Sequence, residues 1–244
     1  MAKQSLKERL KARRKKIEEN SNSSNIFFPK VGSTRFRVLP VGEENEFGIP
    51  VLRPFFGKGI TSFTSSATFG DDCPVQEAYK EAKVDGDSDL AKQLSLKTKY
   101  FIAVILYKDE RGKEVDTDTG VTLMQVSGGI YSEMIDNFLD PDWGDFTDVE
   151  NGYDLNIKRT GSGKTDTKYT LTPKKNTPTP KGYTKEINLE AMVKATTVEY
   201  SVAEERLAEF LESIGSSFGD DDEPKKVAKT KKSKKVKRAR KGGL

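Results

Sequence analysis

The chain has 244 residues, 33% charged and 34% hydrophobic, which suits one ordinary domain with highly charged appendages. It contains no histidine and one cysteine, Cys73; this excludes His-based acid–base and triad catalysis, His-containing zinc sites and an intrachain disulfide. A net charge of +4 conceals an asymmetry: residues 1–19 carry +5, residues 225–244 carry +11 with no acid, and residues 20–224 carry −12.

In chain order, residues 5–19 read as a short basic amphipathic helix opened by a Ser5/Glu8 capping box, with Leu6, Leu10 and Ile17 near one stripe. Such a helix is marginal alone and needs a partner. Asn20–Asn25 is a polar linker. Gly32–Pro40 alternates as an antiparallel strand with one solvated face bearing Arg35 and Arg37, ended by Pro40. Val51–Phe56 is a second strand, with Arg53 and Lys58 beside Phe55. Asp72 is placed to cap a helix that has Pro74 near its start, and Asp87–Leu94 reads as a second helical piece.

Lys97–Asp109 holds the longest apolar run, too short and too β-branched for a helix, and apolar on both alternation classes. It is expected to be a central strand covered on both faces. Its ends carry Lys97, Lys99, Tyr100 and Tyr107. Those tyrosines either cap a core or line a groove that stacks bases. Val121–Val126 is the returning strand and Gly128–Leu139 a helix, which makes Tyr131 a core residue before a ligand contact. Tyr153–Arg159 and Lys168–Thr172 form a long hairpin carrying Lys158, Arg159, Lys164, Lys168 and Tyr169. Helices follow over Asn188–Lys194 and Ser201–Ile214. The chain then runs through an acidic knot, Asp220–Glu223, into a Lys-rich tail that cannot bury a core.

Gly161–Thr165 (Gly-Ser-Gly-Lys-Thr) suggests a phosphate loop, but Lys158 stands where that loop needs its first Gly, and a strand follows instead of a helix. Asp85–Asp89 lacks the Gly and Glu of a calcium loop. What remains is cationic and aromatic interleaving: Arg35, Arg37, Arg53, Phe55, Lys58, Lys97, Lys99, Tyr100, Tyr107, Lys158, Arg159, Lys164, Lys168 and Tyr169. Single-strand binders on small β-barrels combine stacking, about 1–3 kcal/mol per base, with cations along the phosphates. An acidic body between basic arms points to nucleic acid or another anionic surface, although the tail also reads as a solubility or localisation segment.

The ordered pieces Arg35–Pro40, Asp72–Val75, Lys97–Asp109, Ser127–Met134, Glu150–Leu155 and Tyr169–Pro180 resemble the phage single-stranded DNA-binding proteins of the T-even helix-destabilising type. The resemblance implies a mainly β (α+β) chain built on an OB-fold, a five-stranded Greek-key barrel. The expected layout is a basic N-terminal arm (1–25), a core (26–185) with a small helical insertion near 60–96, C-terminal helices (186–215) and a disordered tail (216–244). It implies no enzymatic activity and a coat on unpaired DNA in phage replication, recombination and repair. Cooperative self-association would run through the arm, including Lys7, Arg9, Lys11, Arg13 and Arg14. Replication and recombination proteins would dock through the C-terminal region. Tyr100 falls on a family aromatic that lines the DNA groove. Two departures stand out. The family prototype's insertion holds zinc through one His and three Cys, of which only Cys73 remains, so no metal or cofactor is expected. The prototype's C-terminal region is acidic, whereas this tail is basic. No run approaches a membrane span and no signal peptide is read, so a cytoplasmic protein of the infected cell is expected. An RNA-binding or RNA-chaperone OB protein is the alternative, and a P-loop nucleotidase a third class.

Overall fold

The computed structural model describes residues 26–42, 45–57, 59–163 and 166–217. Seven strands form one sheet: β1 (Ile26–Phe27), β2 (Gly32–Val38), β3 (Gly48–Arg53), β4 (Lys97–Leu106), β5 (Val121–Val126), β6 (Tyr153–Thr160) and β7 (Lys168–Asn176). Five α-helices accompany them: α1 (Pro74–Val84), α2 (Ser88–Leu94), α3 (Gly128–Leu139), α4 (Leu189–Lys194) and α5 (Tyr200–Ser217). The class is α+β. No described helix is long and apolar enough to cross a membrane.

β4 organises the sheet, as its apolar run requires. Its residues Phe101 to Ile105 have no exposed surface. One edge pairs antiparallel with β5 from Tyr100↔Val126 to Ile105↔Val121. The other edge is shared: β2 takes Val104 to Leu106, and β3 takes Lys97 to Ile102. The chain leaves that edge at Pro40, which has no N–H to extend the ladder, and returns as β3. The remaining order is β1-β5-β4-β2-β6-β7. The strands do not close on themselves among the described residues, so a closed five-stranded barrel is not what the pairing gives. A two-residue parallel β1 and the long β6–β7 hairpin enlarge the sheet to an open path.

Side chains on one face of the sheet, among them Phe36, Val38, Ile102, Val104 and Met124, pack against Ile130, Tyr131 and Met134 of α3. The other face packs Leu39, Phe101, Ala103 and Leu123 against Leu189 and Val193 of α4. A third cluster joins Phe63, Cys73, Val75 and Leu94 to Leu207 and Phe210 of α5.

Several local expectations shift. β2 has no solvated face at its end: Arg37 is fully buried because the loop carrying Asp148 and the segment carrying Thr179 close over it, and Leu39, just past the strand, is fully buried in the cluster with Leu189 and Val193. Arg37 donates to the Asp148 carbonyl (2.8 Å) and to Thr179 Oγ1 (3.1 Å). Alternation told the sides apart but not what would lie over them. Asp72 does not cap α1; Cys73 holds that position without a side-chain bond, and Pro74 sets the first turn. Asp87 caps α2 through Leu90 N. α5 starts one residue before Ser201, with the Glu199 carbonyl accepting from Val202 and Ala203. β3 covers Gly48–Arg53 instead of Val51–Phe56.

Candidate nucleic-acid interface

Where β4, β5 and the β6–β7 hairpin converge, the surface opens into a cleft of about 180 Å³. Its floor is Val126, Ile130 and Ile157, all buried. Its walls are Phe28 and Pro29 after β1, Lys99 on β4, Gln125 on β5, Ser127 before α3, and the cross-strand pair Arg159 and Tyr169. None of the described residues lining it is acidic.

Each wall residue is held by its element. Arg159 lies opposite Tyr169 in the ladder, its guanidinium carbon 5.8 Å from the ring centroid, and donates to the Pro29 carbonyl (3.1 Å). That anchors the segment after β1 to the hairpin. Phe28 remains 48% exposed and Tyr169 36%, enough ring surface for a planar ligand to cover. Arg53, not among the cleft-lining residues, has its guanidinium carbon 5.9 Å from the Phe28 ring centroid and 5.3 Å from that of Phe101. Burial, and then the charge of Arg206, push its guanidinium down to about 10. Enclosed side-chain atoms without a hydrogen-bond partner include Arg159 Nε and Gln125 Oε1, both in cleft-lining residues. α3 begins at the rim: Ser127 Oγ accepts from Ile130 N, and the first-turn amides of Gly128 and Gly129 lack helical partners by position. The positive end of a helix favours an anion there.

Of the residues singled out in sequence, Lys99, Arg159 and Tyr169 meet in this cleft. Lys97, exposed, lies two residues from Lys99 on the same side of β4. Tyr100 turns to the other side, half-buried, stacked on Tyr131 at 4.0 Å between centroids and 12° between planes. Lys158 and Lys168 are exposed on the hairpin face opposite Arg159 and Tyr169, since side chains alternate along each arm. Phe55 is exposed. Arg35, Arg37 and Tyr107 converge instead on buried Asp154. Arg35 Nε and Nη2 donate to Asp154 Oδ2 (2.9 and 2.6 Å), Tyr107 donates to Oδ1 (3.1 Å), and Arg37 Nη1 lies 3.6 Å from Oδ1. Burial first, then Asp154, push the Tyr107 phenol up; burial pulls the Arg37 guanidinium down. Lys58, Lys164, Lys7, Arg9, Lys11, Arg13 and Arg14 lie outside the described residues. Phe28, Gln125 and the α3 amides were not singled out in sequence. An exposed Phe beside Pro29 and Lys30 was the available signal for the first; only the fold brings the others to the rim.

Gly161–Thr165 joins two antiparallel strands, not a strand to a helix, so the phosphate-loop geometry is absent from the described backbone. A zinc site does not fit the insertion: Cys73 is 1% exposed among Phe63, Val75 and Leu94, in a chain without histidine. Hydrocarbon occupies the place a metal would need.

One protein-family model, described as gp32 DNA binding protein like, matches residues 30–215. Comparison with curated proteins gives no match.

Proposed function

The chain belongs to the gp32-like DNA-binding protein family, as the order of its motifs implied, and from that premise we propose that it coats single-stranded DNA through the cleft at Phe28, Lys99, Arg159 and Tyr169. The observation that carries this reading is the pairing of two exposed rings with two cations and a helix N-terminus, with no acid among the described lining. Rings stack on any base, and the cations and amides hold the phosphates, so binding is tolerant of sequence and falls with salt. The branching of the sheet at β4 supports a partly open oligonucleotide-binding barrel as the scaffold. A coat of this kind serves unpaired strands in phage replication, recombination and repair.

Self-association is part of the same reading. On another side of the protein, a cleft of about 720 Å³ is lined by Glu46, Asp145, Asp148, Glu150 and Glu186 over Phe47 and Phe138. Its charge and apolar floor complement the basic, amphipathic residues 5–19 of a neighbouring copy.

The test is one salt-series titration with matched single-stranded DNA, duplex and RNA, repeated with Tyr169→Ala. Preferential binding of single-stranded DNA, a negative slope of log affinity against log salt, and a loss of about 1–3 kcal/mol in the variant are expected. Preference for duplex, or a flat salt dependence, refutes it; preference for RNA moves the function to that class.

A further inference from the structure

We propose that the crevice between α1 and α2 is a second contact site for the same strand, gripping the phosphodiester backbone beyond the cleft; the proposal rests on the single-stranded DNA reading above. The crevice measures about 320 Å³ and is lined by Tyr79, Lys83, Ser88, Lys92, Ser95 and Lys97 over a floor of Ala82 and Ala91. Residues 71–96 hold seven acids and only three lysines. Even so, no acid is among the described residues lining the crevice, while Lys83 and Lys92 both line it and Lys97 joins them from β4. In a locally acidic segment, the cations have been gathered on one concave surface.

These cations are free to be used. Lys97 Nζ donates only to the neutral Ser95 Oγ (3.3 Å). Lys83 Nζ lies over the Tyr79 ring, 5.6 Å from its centroid. Lys92 meets Asp89 at 3.4 Å, but both side chains are largely exposed and solvent screens the pair. The floor is methyl groups, and Gly86, also in the lining, leaves open space where a Cβ would stand, so a phosphate can approach closely.

Position links the two sites. Lys99 lines the cleft and Lys97 the crevice, on the same side of β4 and roughly 7 Å apart along the strand. One nucleotide step of an extended backbone covers that separation. A strand stacked on Phe28 and Tyr169 and held by Lys99 therefore meets Lys97 next, then Lys92 and Lys83. The crevice offers a single ring and several ammonium groups, so it contributes charge more than stacking.

The test uses the full chain and a Lys83→Gln/Lys92→Gln double variant, with salt-series titrations on a short oligonucleotide that fills only the cleft and on a longer one. Both lysines are exposed, and circular dichroism serves as the folding control. On the longer strand the slope of log affinity against log salt should fall in magnitude by about 1.4, the release expected for two single-strand phosphate contacts. The short oligonucleotide should show no change. An unchanged slope on the longer strand overturns the proposal and makes the crevice an ordinary solvated surface. An equal loss on both lengths also overturns it, because the lysines would then act through the general field. An acidic peptide that occupies the crevice without displacing DNA assigns it to a protein instead. Failure of the unaltered chain to bind single-stranded DNA at all refutes the underlying reading, and this proposal with it.

Discussion

Asp154 gathers three side chains that alternation alone would scatter, accepting hydrogen bonds from two of them and lying 3.6 Å from the third. It is 1% exposed and receives Arg35 and Tyr107, with Arg37 close by. Two guanidinium groups withdrawn from water need that carboxylate, because an uncompensated buried charge costs several kcal/mol. Asp154→Asn is expected to lower stability by about 3–5 kcal/mol, read as a shift of the urea midpoint. The variant that remains folded should keep its salt slope on single-stranded DNA, since none of these residues lines the cleft. An unchanged midpoint would mean the arginines find other partners. Residue identities made Arg35, Arg37 and Tyr107 candidate ligand contacts; their gathering on Asp154, 47 to 119 positions away along the chain, is what local sequence does not announce.

At the level of elements, α3 does two jobs. Its first turn opens on the cleft, and its body plugs the sheet through Ile130, Tyr131 and Met134. Tyr131 stacks on Tyr100 and donates to the Gly48 carbonyl (3.2 Å). Burial, followed by the Glu46 charge, pushes its phenol up to about 12. A Cβ at Gly48 would run into the Tyr131 ring and lie 3.0 Å from Ile102 Cγ2. Gly48→Ala should therefore cost about 1–3 kcal/mol by overpacking, with a lower Tm and weakened affinity from a displaced α3 N-terminus. A variant as stable as the parent would show that the ring moves aside freely. The bounds of α3 and β5 were legible because each has a clean period and clear breakers. Helix starts at Pro74 and Tyr200 slipped by a residue, because caps depend on backbone angles that composition only biases. The hairpin was legible too, yet which of its faces meets the cleft depended on how β6 pairs with β2.

For the whole molecule, charge is the governing property. A body of −12 would repel DNA if its acids were evenly spread. Instead, none lines the described cleft, and several gather around the large cleft at Glu46 and Glu186. Deleting residues 1–19 should leave binding to a single-site oligonucleotide within a few-fold and abolish clustering on long strands, as seen by gel shift or single-molecule imaging. Clustering that survives the deletion would place self-association elsewhere. Truncation near Glu223 removes eleven cations and should lower affinity at low salt if the tail touches DNA. Identical binding would make the tail a passive segment.

The amino-acid order by itself determined the strands other than β1 and the bounds of β3, the hairpin, the helix over Gly128–Leu139 and the family, because periodicity and motif order are local or cumulative properties of a chain. Only the tertiary structure decided that Lys99, Arg159, Tyr169 and Phe28 share one cleft while Arg35 and Arg37 serve a buried carboxylate. Which of two cations reaches solvent depends on what packs over it, and that is a contact between residues more than a hundred positions apart.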